Sequence, residues 1–449
     1  MKGSRVTRRR FLRDTVLATT ALVAAPYIRG AHAAGKLSLG IWDHWVPGAN
    51  DNMTKLCQEW GEKNKVDIQI DYLTSVGDKD MITATAEAQA GAGHDIMTHR
   101  TWQIVVHRQK LEPLDDVMSA LEKQAGPPNE VARHLANIEG HWYGIPTCTG
   151  SQVKPCCSRF DLYKRHCGVD LQKMFPANDE RDKALTDTWD WNMYLQTAEK
   201  LMKAGFPVGN PLGQTSDAID WVGALFRSYG AVAVDEKDEI KINSDATRQA
   251  LEYMKKLAPQ MPKDVYAWDD ASNNRWLISG KGGGIMNPPS AWAVAKRDAP
   301  QVAQNCWTHD MPKGPTGRFV GHLPIFFGVW KFSQNKQAAK DLIRFLSEKD
   351  QARKFVEASY GYDLPSFKSY YDFETWKTVE PPKGTVYNYP PRGDEQVSIA
   401  GFPARPDVAA QIYNNALMVI MVSKATQGGE SIDSVIKWAE RELEGYLRT

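Results

Sequence analysis

The chain has 449 residues, 24% of them charged and 42% hydrophobic, with a formal charge of +1. Residues 1–33 hold seven basic side chains and one acidic one, so the remainder carries about −5, a mildly acidic balance that argues against nucleic acid or an anionic membrane as partner. That remainder exceeds four hundred residues, too many for one ordinary core and suited to two lobes.

The chain opens with a targeting pattern. Lys2, Arg5, Arg8, Arg9, Arg10 and Arg13 form a basic region, an apolar stretch runs from Thr15 to Ala25, and Ala31-His32-Ala33 supplies a small-x-small cleavage site. Thr7-Arg8-Arg9-Arg10-Phe11-Leu12-Arg13 matches the twin-arginine pattern, with Arg8 and Arg9 as its signature pair. The competing reading, a general secretory signal with a crowded basic region, does not account for Phe11-Leu12 and the basic residue after them. No Cys adjoins the cleavage site, so no lipid anchor is expected. The apolar stretch is too short for a membrane span, and no later run reaches the length of one. A soluble protein exported to the periplasm by the twin-arginine translocase, and monomeric, is the expectation.

Leu37, Leu39 and Ile41 alternate as a strand; Met53, Leu56, Cys57 and Trp60 fall at helical spacing; Val66, Ile68, Ile70 and Tyr72 alternate again. This βαβ unit predicts a largely parallel first sheet. A helix over 78–91 ending at Gly91 and a short strand at Asp95-Ile96-Met97 follow. Ligands in open α/β sheets sit beyond the carboxyl ends of strands, which singles out the loops Trp42-Asp43-His44-Trp45 and Thr98-His99-Arg100-Thr101-Trp102. His141 to Pro146 reads as a turn and strand leaving the first lobe. Later helices are expected near 191–202, over 245–257 with Ser244 as N-cap, near 338–346, at 407–423 and at 431–447. Segment 365–406, rich in Pro, Tyr and Gly, is expected to wrap the surface.

Six cysteines, Cys57, Cys148, Cys156, Cys157, Cys167 and Cys306, fit no zinc or redox spacing. Four lie between 148 and 167, so either one local disulfide in an oxidising compartment or buried free thiols would suit them. No cofactor or metal motif appears.

The order of landmarks resembles the extracellular solute-binding proteins of ABC importers, in the maltodextrin and general sugar-binding group. The Trp-rich loop after the first strand carries it. So do His94-Asp95-Ile96-Met97 followed by Leu111-Glu112-Pro113-Leu114-Asp115, and Trp142-Tyr143-Gly144-Ile145-Pro146. The run from Gly280 to Trp292, Pro312-Lys313-Gly314-Pro315, and Tyr360-Gly361-Tyr362-Asp363-Leu364-Pro365 complete it. The resemblance covers nearly all of the chain after the leader. It implies the two-lobed type II periplasmic-binding-protein fold, class α/β, each lobe a mostly parallel sheet flanked by helices, with hinge crossovers. The N-terminal lobe would take 34–147 and 315–363, and the C-terminal lobe 148–314 and 364–449. Ligand would bind in the cleft, and closure would present both lobes to a membrane permease.

A sugar offers C–H faces that stack on aromatic rings and hydroxyls that need donors and acceptors. Trp42, His44 and Trp45 offer both, Trp42 equally able to continue the strand into the core. His99, Arg100 and Trp102 follow the third strand, and Arg100 is able to donate a planar fork to vicinal hydroxyls or a carboxylate, or to make a surface ion pair. Asn287, Ser290 and Trp292 follow a glycine-rich loop. Relatives often carry an aromatic directly after the proline there; Asn287-Pro288-Pro289-Ser290-Ala291-Trp292 leaves open whether Ser290 or Trp292 faces a ligand. His322, Tyr360 and Tyr362 complete the candidates, with surface or hinge packing as their competing reading. There is no G-x-S-x-G elbow, no H-E-x-x-H and no P-loop, and Asp269-Asp270 reads as a solvated turn. The expectation is ligand capture without chemistry, the ligand being a sugar or oligosaccharide. A polyamine or organic acid is the alternative ligand, and a secreted carbohydrate-active enzyme the remaining class.

Overall fold

The computed structural model describes residues 35–46, 48–178 and 180–448. The leader, with Arg8, Arg9 and the expected cleavage site, lies outside the described residues. Among the described residues no helix is long and apolar enough to cross a membrane.

β1 (Lys36–Trp42), a helix at Ala49–Asn64, β2 (Asp67–Leu73), a helix at Lys79–Ala90 and β3 (Ile96–Arg100) open the fold. β1 pairs in parallel with β2 on one side and β3 on the other. Its central place explains why it is buried from Leu37 through Trp42, on both faces, while edge strand β2 stays partly exposed. The second helix ends where Gly91 adopts φ 60°. β4 (Asn137–Ile138) and β5 (His141–Trp142) form a hairpin whose turn, Glu139 and Gly140, has positive φ at both positions.

β6 (Ile145–Val153) then pairs antiparallel with a long strand from far downstream, β11 (Gly317–Val329), which also pairs antiparallel with β3. The first sheet is therefore mixed, and β6 carries it to Val153, past the expected exit at 147. β7 (Cys156–Arg159), β8 (Gly284–Met286) and β9 (Cys306–His309) make a second sheet in the order β8-β7-β9. Both its ladders are antiparallel, which departs from the expected parallel pattern. The reason is connectivity: β7 brings the chain out of the first sheet and β9 returns it, so the two run oppositely. β10 (Lys313–Gly314) and β12 (Glu395–Ser398) flank the start of β11.

The helix at Ser216–Tyr229 packs on β11. The approach is close at Gly321, where a Cβ would lie 2.5 Å from the Asp220 carbonyl oxygen, so only glycine fits. Thr215 caps this helix by accepting from the Ala218 amide. The helix expected at 407–423 is two, broken where Ala416 takes φ 50°. Segment 365–406 does not merely wrap the surface: Trp376, Val386, Tyr387 and Tyr389 are fully buried. The six thiols are unbridged, and all but the half-buried Cys167 are buried.

Candidate ligand-binding site

Two adjoining cavities lie where the ends of β1, β3 and β6 meet the helix at Ser216–Tyr229 and the loops near 270 and 287. The larger measures about 330 Å³. The smaller, about 30 Å³, has room for roughly one water molecule. Trp45, Ser75, Arg100, Ser216, Asp270 and Leu323 line both.

Of the residues singled out in the sequence, Trp42, Trp45, Arg100, Asn287, Ser290 and Tyr362 line the small cavity. Trp42 ends β1 and is 3% exposed, and its indole N–H is buried without a partner. Arg100 ends β3. Its Nε lies 2.7 Å from Asp80 Oδ2 and its Nη2 3.0 Å from Asp78 Oδ1. Its fork is therefore held by two carboxylates of its own chain. Tyr362 donates its hydroxyl to Gln152 Oε1 at 2.7 Å. Ser290 accepts from Asn274 Nδ2 at 3.1 Å, and Asn287 donates to Asn274 Oδ1.

The other six stand elsewhere, for reasons of periodicity. Successive strand residues point to opposite faces. With Arg100 on the cavity face of β3, His99 points into the core, fully buried against His107 and Trp330 with both ring nitrogens unpartnered; burial holds its pKa well below the usual imidazole value. The same alternation on β11 places Leu323 and Ile325 at the cavity. His322 turns behind them, its Nδ1 2.8 Å from the Gln152 carbonyl and its Nε2 3.2 Å from Asn129 Nδ2. Burial pulls its pKa down to about 4. Trp102 is fully buried, edge-on to His134.

Trp292 is displaced by helical geometry. Beyond the glycine-rich loop, Ser290 starts a helix that runs to Asp298. Residues two apart on a helix point to nearly opposite faces, so Ser290 at the cavity sends Trp292 inward. There it is fully buried and donates its indole N–H to the Pro381 carbonyl at 2.8 Å. Tyr360 is 41% exposed, with Lys296 Nζ 4.9 Å from its ring centre. His44 stands one layer behind the wall. Its Nδ1 accepts from the Val46 amide at 2.9 Å, which leaves Nε2 to donate to Asp363 Oδ1 at 2.8 Å. Its ring lies edge-on at 5.0 Å to both Trp42 and Tyr362, so it holds two rings of the wall rather than forming it.

Several wall residues escaped the sequence reading. Gln152 and Lys154 share one face at the end of β6, and Asp217 begins the helix above them. Lys154 is fully buried and ion-paired to Asp217, with Asp220 Oδ2 at 3.9 Å. Asp217 also accepts from Asn273 Nδ2 at 2.8 Å, and Asp220 accepts from the Tyr413 hydroxyl at 3.0 Å. Burial opposes the charge on Lys154, but the carboxylates of Asp217, Asp220 and Asp270 outweigh it and raise its pKa. Burial pushes Asp220 up to about 7, against the pull of Lys154 and the Tyr413 hydroxyl. The signal was present: Asp217 and Asp220, three apart, share one face of an otherwise apolar helix. Asp269 and Asp270 divide. Asp269 is exposed and paired with Arg275 at 2.9 Å; Asp270 turns inward, lines both cavities and accepts from the Asp217 amide at 3.2 Å. Among the described residues no cluster of His, Cys, Asp and Glu has a geometry to hold a metal.

Residues 55–381 match the model of a family described as bacterial extracellular solute-binding protein. No curated protein matches the sequence. Solved structures of like fold include the maltose-bound MalE3 of T. maritima, 18% identical over 92% of this chain and 99% of that one, TM-score 0.71. The GacH receptor of Streptomyces glaucescens, solved unliganded and with acarbose, is 18% identical over 93% and 99%, TM-score 0.68. A sugar transporter protein of Arthrobacter chlorophenolicus with bound laminaribiose is 14% identical over 92% and 99%, TM-score 0.68. At these identities the likeness establishes the type II periplasmic-binding-protein fold. With the family model spanning most of the sequence, the chain belongs to the bacterial extracellular solute-binding proteins.

Proposed function

We propose that the protein captures a sugar or short oligosaccharide between two lobes in the periplasm and delivers it to the permease of an ABC importer, with no chemistry on the ligand. The composition of the cavity wall carries this reading. Trp45 offers a ring face to the larger cavity beside Ser75, Gln214, Thr215 and Ser216, with Trp42, Tyr362, Gln152, Asn274, Asn287 and Ser290 around its small extension, the pairing of apolar faces with short hydrogen-bonding groups that a polyhydroxylated ring requires. Proteins of the same fold hold maltose, acarbose and laminaribiose, which supports it. An organic acid fits less well, since Arg100 and Lys154 are already engaged by carboxylates. Thermal-shift screening of residues 34–449 against sugars, polyols, acids and amines tests the reading: ligand at 100 times Kd adds about 2.7 kcal/mol. Stabilisation by acids alone would overturn it.

The presence of two sheets supports the division into two lobes. One is built on β1, β2, β3 and the return along β11, and the other on β7, β8 and β9. On this reading the chain passes between them after β6, again after β9 and a third time near 364, where ligand would close them by a hinge. Small-angle scattering is expected to give a smaller radius of gyration with saturating ligand; an unchanged radius would point to a rigid body.

Export is the third element of the proposal. Arg8→Lys together with Arg9→Lys is expected to leave precursor in the cytoplasm. Normal periplasmic yield of that double variant, or of the natural sequence in cells lacking the twin-arginine translocase, would remove the claim.

A further inference from the structure

Away from the cavities, His94 stands two residues before β3 with a carboxylate on each side of its ring. Its Nδ1 lies 2.5 Å from Glu87 Oε1 and its Nε2 3.0 Å from Asp71 Oδ2. A neutral imidazole has one N–H and one acceptor nitrogen, and an ionised carboxylate has nothing to donate. Two carboxylates therefore call for N–H on both nitrogens, which is the imidazolium. Glu87 is fixed as an ionised partner, because its other oxygen, Oε2, accepts from the Trp330 indole N–H at 3.0 Å and from the His94 amide at 3.2 Å.

The fold makes room for this pair. A Cβ on Gly93, which has φ 151°, would lie 2.3 Å from Glu87 Cδ, and one on Gly40 would lie 3.0 Å from His94 Nδ1. His94 and Glu87 are buried, while Asp71 on edge strand β2 is partly exposed. Among the described residues Glu87 and Asp71 are the charged groups that face the ring. β1 presents Gly40 there, and the residue after β11 is Trp330. Asp95, next in the chain, is taken up by Ser38 and Ser333. Burial opposes the charge on His94, but Glu87 and Asp71 outweigh it and raise its pKa.

Position gives the pair its consequence. Asp80 and Glu87 are seven apart, about two turns of the helix at Lys79–Ala90, so both face β3. Asp80 holds Arg100, the last residue of β3, and Glu87 holds His94, just before its start. One helix is thus fastened to one strand by an ion pair at each end. The Arg100 end reaches the larger cavity, where Asp78 and Met81 line the wall. A guanidinium keeps its charge at every working pH; an imidazolium does not.

We propose that His94 is a proton-operated clamp. As the imidazolium it seats the C-terminal end of the Lys79–Ala90 helix on the sheet. When it gives up a proton, one ring nitrogen is left with a lone pair facing a carboxylate, an attraction becomes a repulsion, and that end of the helix is released. The helix then keeps only the Arg100 ion pair to β3. With the folded-state pKa raised above the ordinary 6.5, the stabilisation is fully present below pH 6.5 and is lost as pH rises through the folded value. The clamp belongs to the wall and not to the ligand, so it is independent of the sugar reading above.

NMR of residues 34–449 with labelled histidine, followed from about pH 5 to 10, reads the protonation state of each ring nitrogen. His94 is expected to carry protons on both nitrogens at pH 6.5 and to titrate above that value. Amide hydrogen exchange, corrected for its intrinsic dependence on pH, is expected to lose about tenfold or more of its protection in the last turn, Glu87 to Ala90, as pH passes the His94 midpoint, the size of one hydrogen bond between charged groups. The first turn, beside Arg100, is expected to change less. His94→Gln is expected to lack this pH dependence, and Asp71→Asn to lower the His94 midpoint. Titration at or below pH 6.5 would overturn the inference, and so would a last turn whose protection is unchanged through the midpoint. Should His94→Gln fold poorly, titration and exchange of the unaltered protein decide alone.

Discussion

Trp45→Ala is expected to weaken sugar binding about thirtyfold and to leave the melting curve of the unliganded protein nearly unchanged. Trp45 is partly exposed and lines both cavities, so its ring offers a face to the ligand and contributes little to the core. Truncating a buried aromatic anchor in a binding site commonly costs about 2 kcal/mol or more, which corresponds to that factor in Kd. Trp292→Ala is expected to behave in the opposite way. Trp292 is fully buried and hydrogen-bonded to Pro381, so its removal opens a cavity and strands a carbonyl, at about 3–5 kcal/mol of stability. Calorimetric titration with the tightest sugar from the screen, beside a melting curve for each variant, separates the two. If Trp45→Ala lowered the melting temperature as much as Trp292→Ala and left affinity intact, Trp45 would be core and the cavity would not be the site.

That contrast also marks what the sequence disclosed. The opening βαβ unit, the caps at Gly91 and Ser244 and the loops that lead to the cavity were legible, because each rests on local periodicity or local backbone chemistry. The cavity wall was legible by segment but not by residue. His99 and Arg100 are neighbours on β3, and period two allows only one of them to face the cavity. The choice depends on which face the Lys79–Ala90 helix and β11 cover, which is a tertiary fact. The choice between Ser290 and Trp292 stays open in the sequence because it depends on Ser290 starting a helix, which rotates the indole away from the cavity. Lys154 was missed for a different reason. A lone lysine in the run Gln152-Val153-Lys154 carries no motif, and its partners lie 63 and 66 positions away on another element. The antiparallel second sheet likewise follows from long connections, not from any property of its short strands.

Lys154→Met is expected to destabilise the unliganded protein by about 3–5 kcal/mol, because it leaves two buried carboxylates without their cation. The loss is expected to depend on pH. Asp220 has a folded-state pKa of about 7 against an ordinary value of 3.8, so the folded protein holds an extra proton between those limits. Stability therefore falls as pH rises from about 4 to about 7 and then levels off, an effect on the order of 4 kcal/mol for this one group. Lys154 acts to lower that pKa. Without it, Asp220 stays protonated to higher pH, and the destabilisation of the variant is small near pH 5 and largest above pH 8. Asp220→Asn in the natural background is expected to flatten the slope between pH 4 and 7. Combining Lys154→Met with Asp217→Asn and Asp220→Asn is expected to recover most of the stability, since removing both sides of a buried ion pair costs far less than removing one. Denaturant unfolding of the four proteins at pH 5, 7 and 8.5 measures all of this. A loss in Lys154→Met that is the same at every pH, and not recovered in the triple variant, would mean that the lysine acts through packing of its methylene chain and that its charge is not what holds this wall of the cavity together.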